Sequence, residues 1–125
     1  MDEINALTGE IIGSAIEVHR NLGPGLLESA YEACLLWELR QKGMNVHVQV
    51  PVLINYKGKA IDAGYRLDFL VEGQVVIELK SVEKLLPIHA AQVLTYLRMA
   101  NLRIALLMNF NVETMRSGIK RIRND

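Results

Sequence analysis

The stretch Tyr65-Arg66-Leu67-Asp68-Phe69-Leu70-Val71, then Glu72-Gly73-Gln74, then Val75-Val76-Ile77-Glu78-Leu79-Lys80 decides the fold. Two alternating apolar runs flank a short polar break that contains glycine, the pattern of a β-hairpin. The sets Leu67, Phe69, Val71 and Val75, Ile77, Leu79 share one face only when Val71 lies opposite Val75. Directly opposed residues of an antiparallel pair point to the same side, and a slip of one residue would mix the faces. That register makes residues 72–74 the loop. It sets Asp68 directly opposite Glu78, with Cβ atoms roughly 5 Å apart, and puts Lys80 on the same face.

Two carboxylates held so close repel each other, and one must protonate unless a cation lies between them. A divalent metal beside a lysine is the economical resolution, and that trio is the chemistry of metal-assisted phosphodiester hydrolysis. A competing reading is a solvated checkerboard. Arg66 also lies opposite Lys80, so the diagonals Asp68–Lys80 and Arg66–Glu78 would form surface ion pairs worth about 0–1 kcal/mol each. Against it, like charges directly opposed twice is the less stable arrangement. Leu70 and Val76 also share this face, as the floor of a partly covered cleft would require.

The chain has 125 residues, half of them hydrophobic, with 14 basic and 14 acidic side chains. One compact domain over residues 1–125 is expected. Zero net charge excludes a protein that holds nucleic acid by bulk electrostatics, so positive charge must be local or brought by a metal. Basic residues thicken at Arg116, Lys120, Arg121 and Arg123, the pattern of a solvated end. The single Cys34 excludes an internal disulfide and any cysteine-rich metal site; its apolar surroundings predict a buried core thiol. No apolar run reaches the roughly 18 residues of a membrane span, and the N-terminus lacks the pattern of a signal peptide. A cytoplasmic address is therefore the default expectation.

Helical spacing puts Leu7, Ile11, Ala15, Val18 and Leu22 on one face, and Gly23-Pro24-Gly25 ends that helix. A second helix is predicted from Leu26 to Lys42, burying Leu27, Ala30, Cys34 and Trp37, with Gly43 as its left-handed terminator. Val46 to Ile54 alternates as a strand in which Pro51 demands an edge or bulge. A turn at 56–59 leads to one strand from Ala60 to Val71. After the hairpin, Pro87 announces a helix from Ile88 to Ala100. Leu102 to Met108 reads as a strand covered on both faces, and Gly118 to Ile122 as a short last strand. A helix joining the strand of Lys80 to that of Leu102 implies a crossover connection. The expected architecture is α/β: a small mixed sheet flanked by helices.

Asp68 followed by Glu78-Leu79-Lys80 resembles the signature of the PD-(D/E)XK nuclease superfamily. Two further matches sharpen the resemblance. Gly25-Leu26-Leu27-Glu28-Ser29-Ala30-Tyr31 fits Gly-x-x-Glu-x-x-Tyr, the pattern that names the GxxExxY family within that superfamily. Gln92-Val93-Leu94-Thr95-Tyr96 fits the Gln-x-x-x-Tyr motif that exonuclease-like branches carry on the helix after the lysine strand. The motifs come in the expected order and span nearly the whole chain. Leu67 rather than proline precedes Asp68, a position that varies in these families.

The resemblance implies a restriction-endonuclease-like core and a set of roles. Asp68, Glu78 and the Leu79 backbone carbonyl would bind Mg²⁺ or Mn²⁺, hard cations that prefer oxygen. Lys80 would orient or deprotonate the attacking water, or stabilise developing charge. Glu28 would complete the metal shell, its other reading being a carboxylate favoured at a helix N-terminus. Tyr31, one turn on, would anchor Glu28, touch a phosphate or cap the core. Gln92 and Tyr96 share one helical face with His89; they would support the metal site or strand, or satisfy each other. His19 is read either as the first-helix metal histidine of related exonucleases or, better fitting its loose alignment, as a partly exposed helix-terminal residue. His47 and His89 lack metal-ligand spacing.

The leading expectation is a metal-dependent nuclease acting on DNA, with RNA open. The alternative is an accessory or binding module that keeps the fold and works through a partner, since so small a chain grips a duplex poorly. A small-molecule hydrolase has no pocket-defining residues beyond these carboxylates. Nucleic acid is the expected partner, and a homodimer the expected assembly.

Overall fold

The structure is a computed structural model that describes residues 3–125. In chain order it comprises α1 (Glu3–Leu22), α2 (Glu28–Gln41), β1 (Val46–Pro51), β2 (Ile54–Tyr56), β3 (Lys59–Ile61), β4 (Arg66–Val71), β5 (Val75–Lys80), α3 (Pro87–Ala100), β6 (Ile104–Asn109), a 3₁₀ turn (Met115–Gly118) and β7 (Ile119–Arg123). Val71 pairs with Val75, Leu70 with Val76 and Phe69 with Ile77, the register that the apolar alternation requires. Glu72 and Gly73, both at positive φ, turn the hairpin.

Five strands form one mixed sheet in the order β1-β4-β5-β6-β7. β6 lies parallel to β5, as a helical crossover through α3 demands, and the other neighbours are antiparallel. Phe69, Val71, Val75, Ile77 and Leu106 pack on Ile11, Ala15 and Val18 of α1 and on Tyr31, Leu35 and Leu39 of α2. Val76, Ala105 and Leu107 face the other way, against Val93, Tyr96 and Leu97 of α3. β6 is covered on both faces, and all its residues are buried, which is why its sequence is continuously apolar. Pro51 lies in β1, an edge strand, where a missing N–H is tolerated. No described helix is long and apolar enough to cross a membrane.

The structure corrects several expectations. The buried stripe of α2 is Tyr31, Leu35 and Leu39, whereas Leu27 and Trp37 are exposed and Cys34 is half-buried rather than a core thiol. α2 carries apolar residues on several sides, so periodicity alone does not choose between adjacent stripes. The strand expected from Ala60 to Val71 is broken at residues 62–65. Asp62 Oδ1 accepts the Gly64 N–H (3.0 Å) and pairs with Arg66, and Gly64 takes φ 91°. That local turn detaches β2–β3 as a separate hairpin, whose own turn runs through Lys57 and Gly58 at positive φ. Leu67 is buried as expected, yet it packs with Val52, Val76 and Tyr96 on the α3 side. Gln49, facing Asp68 across β1, has φ 52°, so the ribbon is wrung between Leu67 and Phe69.

Gly118 shows how tightly the end of β6 is held. A Cβ there would lie 2.1 Å from the Asn109 carbonyl oxygen, a backbone atom that cannot swing aside. Gly118→Ala is expected to destabilise the fold by about 2–4 kcal/mol, lowering Tm by about 10 °C. A thermal melt unchanged by this substitution would contradict the packing described.

Candidate active site

The site begins where β4 and β5 part. Ladder pairing ends at Phe69 and Ile77. Beyond it the Asp68 N–H donates to Glu78 Oε1 (3.1 Å), and the Leu79 N–H donates to Asp68 Oδ2 (2.9 Å). Each carboxylate thus replaces a carbonyl of the opposite strand, which holds both side chains in fixed positions. Arg66 turns away to Asp62, at 3.0 Å. Among the described residues no ion pair within 4.0 Å includes Asp68, Glu78 or Lys80, so the surface checkerboard does not form.

Electrostatically the cluster is overloaded with negative charge. Glu78 is buried, and burial together with the Asp68 charge pushes its carboxyl up to about 8. Burial also raises Asp68, Glu28 and Glu32, with the Asp68 charge adding to the last two. Lys80 opposes this, lowering Glu28, Asp68 and Glu78. One ammonium acts on three of these four carboxyl groups.

Glu28 is brought to this cluster by a pinned loop. Gly23 (φ 68°) and Gly25 (φ 98°) let the chain reverse after α1. The Tyr31 hydroxyl donates to the Gly23 carbonyl (2.6 Å) and accepts the Leu26 N–H (3.1 Å). Its ring, fully buried, stacks on Phe110 with centroids 4.7 Å apart. Ser81, next to Lys80, donates to the Leu26 carbonyl (2.7 Å). In the Gly25–Glu28–Tyr31 pattern the glycine makes the turn, the glutamate reaches the cluster, and the tyrosine clamps the loop instead of reaching a phosphate.

On the other side stands α3. Tyr96 is buried, packed with Leu67 and Val76, and the pKa of its hydroxyl is raised by burial and by the charges of Glu78, Tyr65 and Asp68. Its ring tilts against Tyr65, with centroids 5.7 Å apart. Gln92 and Tyr96 line one groove beside α3, Gln92 half-buried and without a hydrogen bond to Tyr96. The pair do not satisfy each other. His89 Nδ1 accepts the Leu86 N–H (2.9 Å) and so caps α3. His19 is buried, not partly exposed, and its Nε2–H donates to the Val112 carbonyl (2.7 Å), which commits that nitrogen to the backbone.

Sequence reasoning missed two groups. Glu32, one turn beyond Glu28, is raised in part by the Asp68 charge, and Gln49 donates to Glu32 Oε1 (3.4 Å) while its amide helps to lower Asp68. The four-residue spacing of Glu28 and Glu32 is a readable signal; that of Gln49 needs the β1 register. Asn109 and Asn111 form the second group. Asn109 holds both the N–H and the carbonyl of Val82 (3.0 Å each), and Asn111 accepts the Gly25 N–H (3.1 Å). They tie the segment after Lys80 to the loop before Glu28.

Among the described residues no three acidic, imidazole or thiol side chains converge to enclose a metal ion. The donor chemistry still suits a hard cation. Glu78 Oε2 receives no hydrogen bond from the described residues, yet no buried side-chain polar atom lacks a partner, so this oxygen opens on solvent. A Mg²⁺-type ion needs only one or two carboxylates and keeps several waters, and it would balance the charge that now raises these pKa values.

The chain thus joins a mixed five-stranded sheet between helices to an aspartate, a glutamate and a lysine placed where β4 and β5 part. The profile of the PD-(D/E)XK nuclease superfamily matches residues 5–122, and the chain belongs to that superfamily. A nuclease-type function follows from this membership. No curated relative and no solved structure matches the chain.

The raised Glu78 carboxyl sets a pH dependence. Its folded value near 8 lies above the ordinary 4.5, so the folded state binds the proton more tightly. The stability this provides is complete below the ordinary value and is lost as pH rises through the folded one. Without added metal, Tm should fall between pH 5 and 8.5 by an amount worth a few kcal/mol. Glu78→Gln keeps the acceptor for the Asp68 N–H but cannot ionise, and should flatten the slope. Parallel profiles for the two proteins would contradict this assignment.

Proposed function

We propose that this chain is a divalent-metal-dependent nuclease that hydrolyses phosphodiester bonds of DNA, and that it belongs to the GxxExxY branch of its superfamily. The observation that carries the reading is the pair of crossed hydrogen bonds that fixes Asp68 and Glu78 side by side with Lys80 next to them. Asp68 and Glu78, with the Leu79 carbonyl, would hold Mg²⁺ or Mn²⁺, and Glu28 stands close enough to share in the charge. The ion supplies activation of water and neutralisation of phosphate charge. The residues do the rest. Lys80 offers its ammonium to the attacking water or the developing phosphoryl charge. The Leu79 N–H orients Asp68, and Tyr31 keeps Glu28 in place through the loop.

Labelled DNA and RNA, single- and double-stranded, incubated with Mg²⁺, Mn²⁺ or EDTA, test the proposal. DNA cleavage should require the metal and fall by about 10²-fold or more in Lys80→Ala and Asp68→Asn. Absence of cleavage by folded wild type in every metal would shift the reading to a partner-dependent accessory module.

With so little surface to grip a substrate, two copies are proposed to act together. Sedimentation should give twice the 14.1 kDa of one chain. A strictly monomeric mass would remove this part of the proposal.

A further inference from the structure

A groove of about 370 Å³ lies between the β2–β3 hairpin and α3, lined among others by Ile54, Tyr65, Ile88, Gln92, Tyr96 and Met99. Tyr96 connects the groove to the proposed site by packing: its ring meets Tyr65, and it clusters with Leu67, which precedes Asp68, and with Val76 on the strand of Glu78. Tyr65 in turn sits three residues before Asp68 on the same segment.

The groove's chemistry differs from that of the carboxylate cleft. No charged side chain lines it. Its walls are aliphatic and aromatic, and besides the hydroxyls of Tyr65 and Tyr96 the lining residues bring the Gln92 amide, which can donate and accept, and the Thr95 hydroxyl. That hydroxyl donates to the Ala91 carbonyl (3.0 Å) and therefore presents acceptor lone pairs. A phosphate finds no counter-charge here. A flat neutral ring with hydrogen-bonding edges finds stacking partners and edge partners together.

We infer that this groove receives an unpaired nucleobase of the strand whose phosphate lies at Asp68, Glu78 and Lys80, making single-stranded DNA or a frayed end the substrate class. The inference rests on the nuclease reading above. A base inside a duplex is stacked on both faces and paired along its edge, so it cannot enter a side groove without leaving the helix. A single strand presents such bases freely. The zero net charge of the chain agrees, because there is no excess of positive charge to hold two strands by their phosphates.

The test compares fluorescein-labelled oligothymidylate, a blunt duplex of equal length and an abasic sugar-phosphate oligomer, all in Mg²⁺. The protein is Lys80→Ala, which keeps every carboxylate, alone and combined with Met99→Glu or Ile88→Glu. Both groove residues are well exposed, at 40% and 66%, so either substitution puts a charge in the groove without burying one. Oligothymidylate should bind about ten-fold or more tighter than the duplex, and each groove substitution should erase that margin at unchanged Tm. The abasic oligomer should bind all three proteins alike. Equal binding of single strand and duplex, or no effect of either substitution, would overturn the inference. So would a groove variant that turns a dimer into a monomer while oligonucleotide affinity is kept. Wild-type cleavage in Mn²⁺ is measured alongside. No cleavage of any nucleic acid would overturn the nuclease reading and this inference with it. Equal cleavage of both forms by wild type and Met99→Glu protein would overturn the groove assignment alone.

Discussion

Two backbone N–H groups, those of Asp68 and Leu79, find carboxylates where β4 and β5 part. A partly buried N–H must have an acceptor, and here the acceptors are the side chains proposed to carry the chemistry. Apolar residues at these positions would leave two donors without partners or force the strands to close, and the cleft would vanish. The donors favour the ionised carboxylates, while burial and mutual repulsion push the other way and prevail, taking Glu78 to about 8. The opening therefore stores unbalanced charge, which a cation would relieve.

A second set of bonds keeps the opening in register with the helices. Tyr31, Ser81, Asn109 and Asn111 join three loops that arrive from distant parts of the chain. Their shared effect is to hold Glu28 and Lys80 relative to one another, although one starts a helix and the other ends a strand. Gly118 belongs to the same set from outside, since it leaves room for the Asn109 carbonyl.

Much of this could be read from the chain alone, because parity is a strict constraint. The alternation of Leu67, Phe69, Val71 and Val75, Ile77, Leu79 around a short loop gave the register with Val71 opposite Val75 and brought Asp68 and Glu78 together before any coordinates, although Leu67 turns to the α3 side. The helical crossover and the doubly covered strand β6 followed from equally strong patterns. The stripe of α2 did not, since Tyr31, Leu35 and Leu39 compete with Leu27, Cys34 and Trp37 for the same helical spacing. Glu32 and Gln49 stayed hidden because their proximity to Asp68 depends on how α2 and β1 are set against β4. Asn109 and Asn111 act through loop backbone, which leaves no periodic trace. His19 reads as a helix-end residue until Val112, far along the chain, is folded over it.

The two rims of the sheet have a consequence for life in a crowded solution. A bare edge strand invites another chain to pair with it. Here β1 carries Pro51, which has no N–H to offer, and kinks through Gln49. On the opposite rim β7 displays the exposed Lys120, Arg121 and Arg123, whose like charges would be stacked by any in-register copy. Both rims are blunted against runaway strand addition. Any association between copies would then proceed through side chains instead of strand addition.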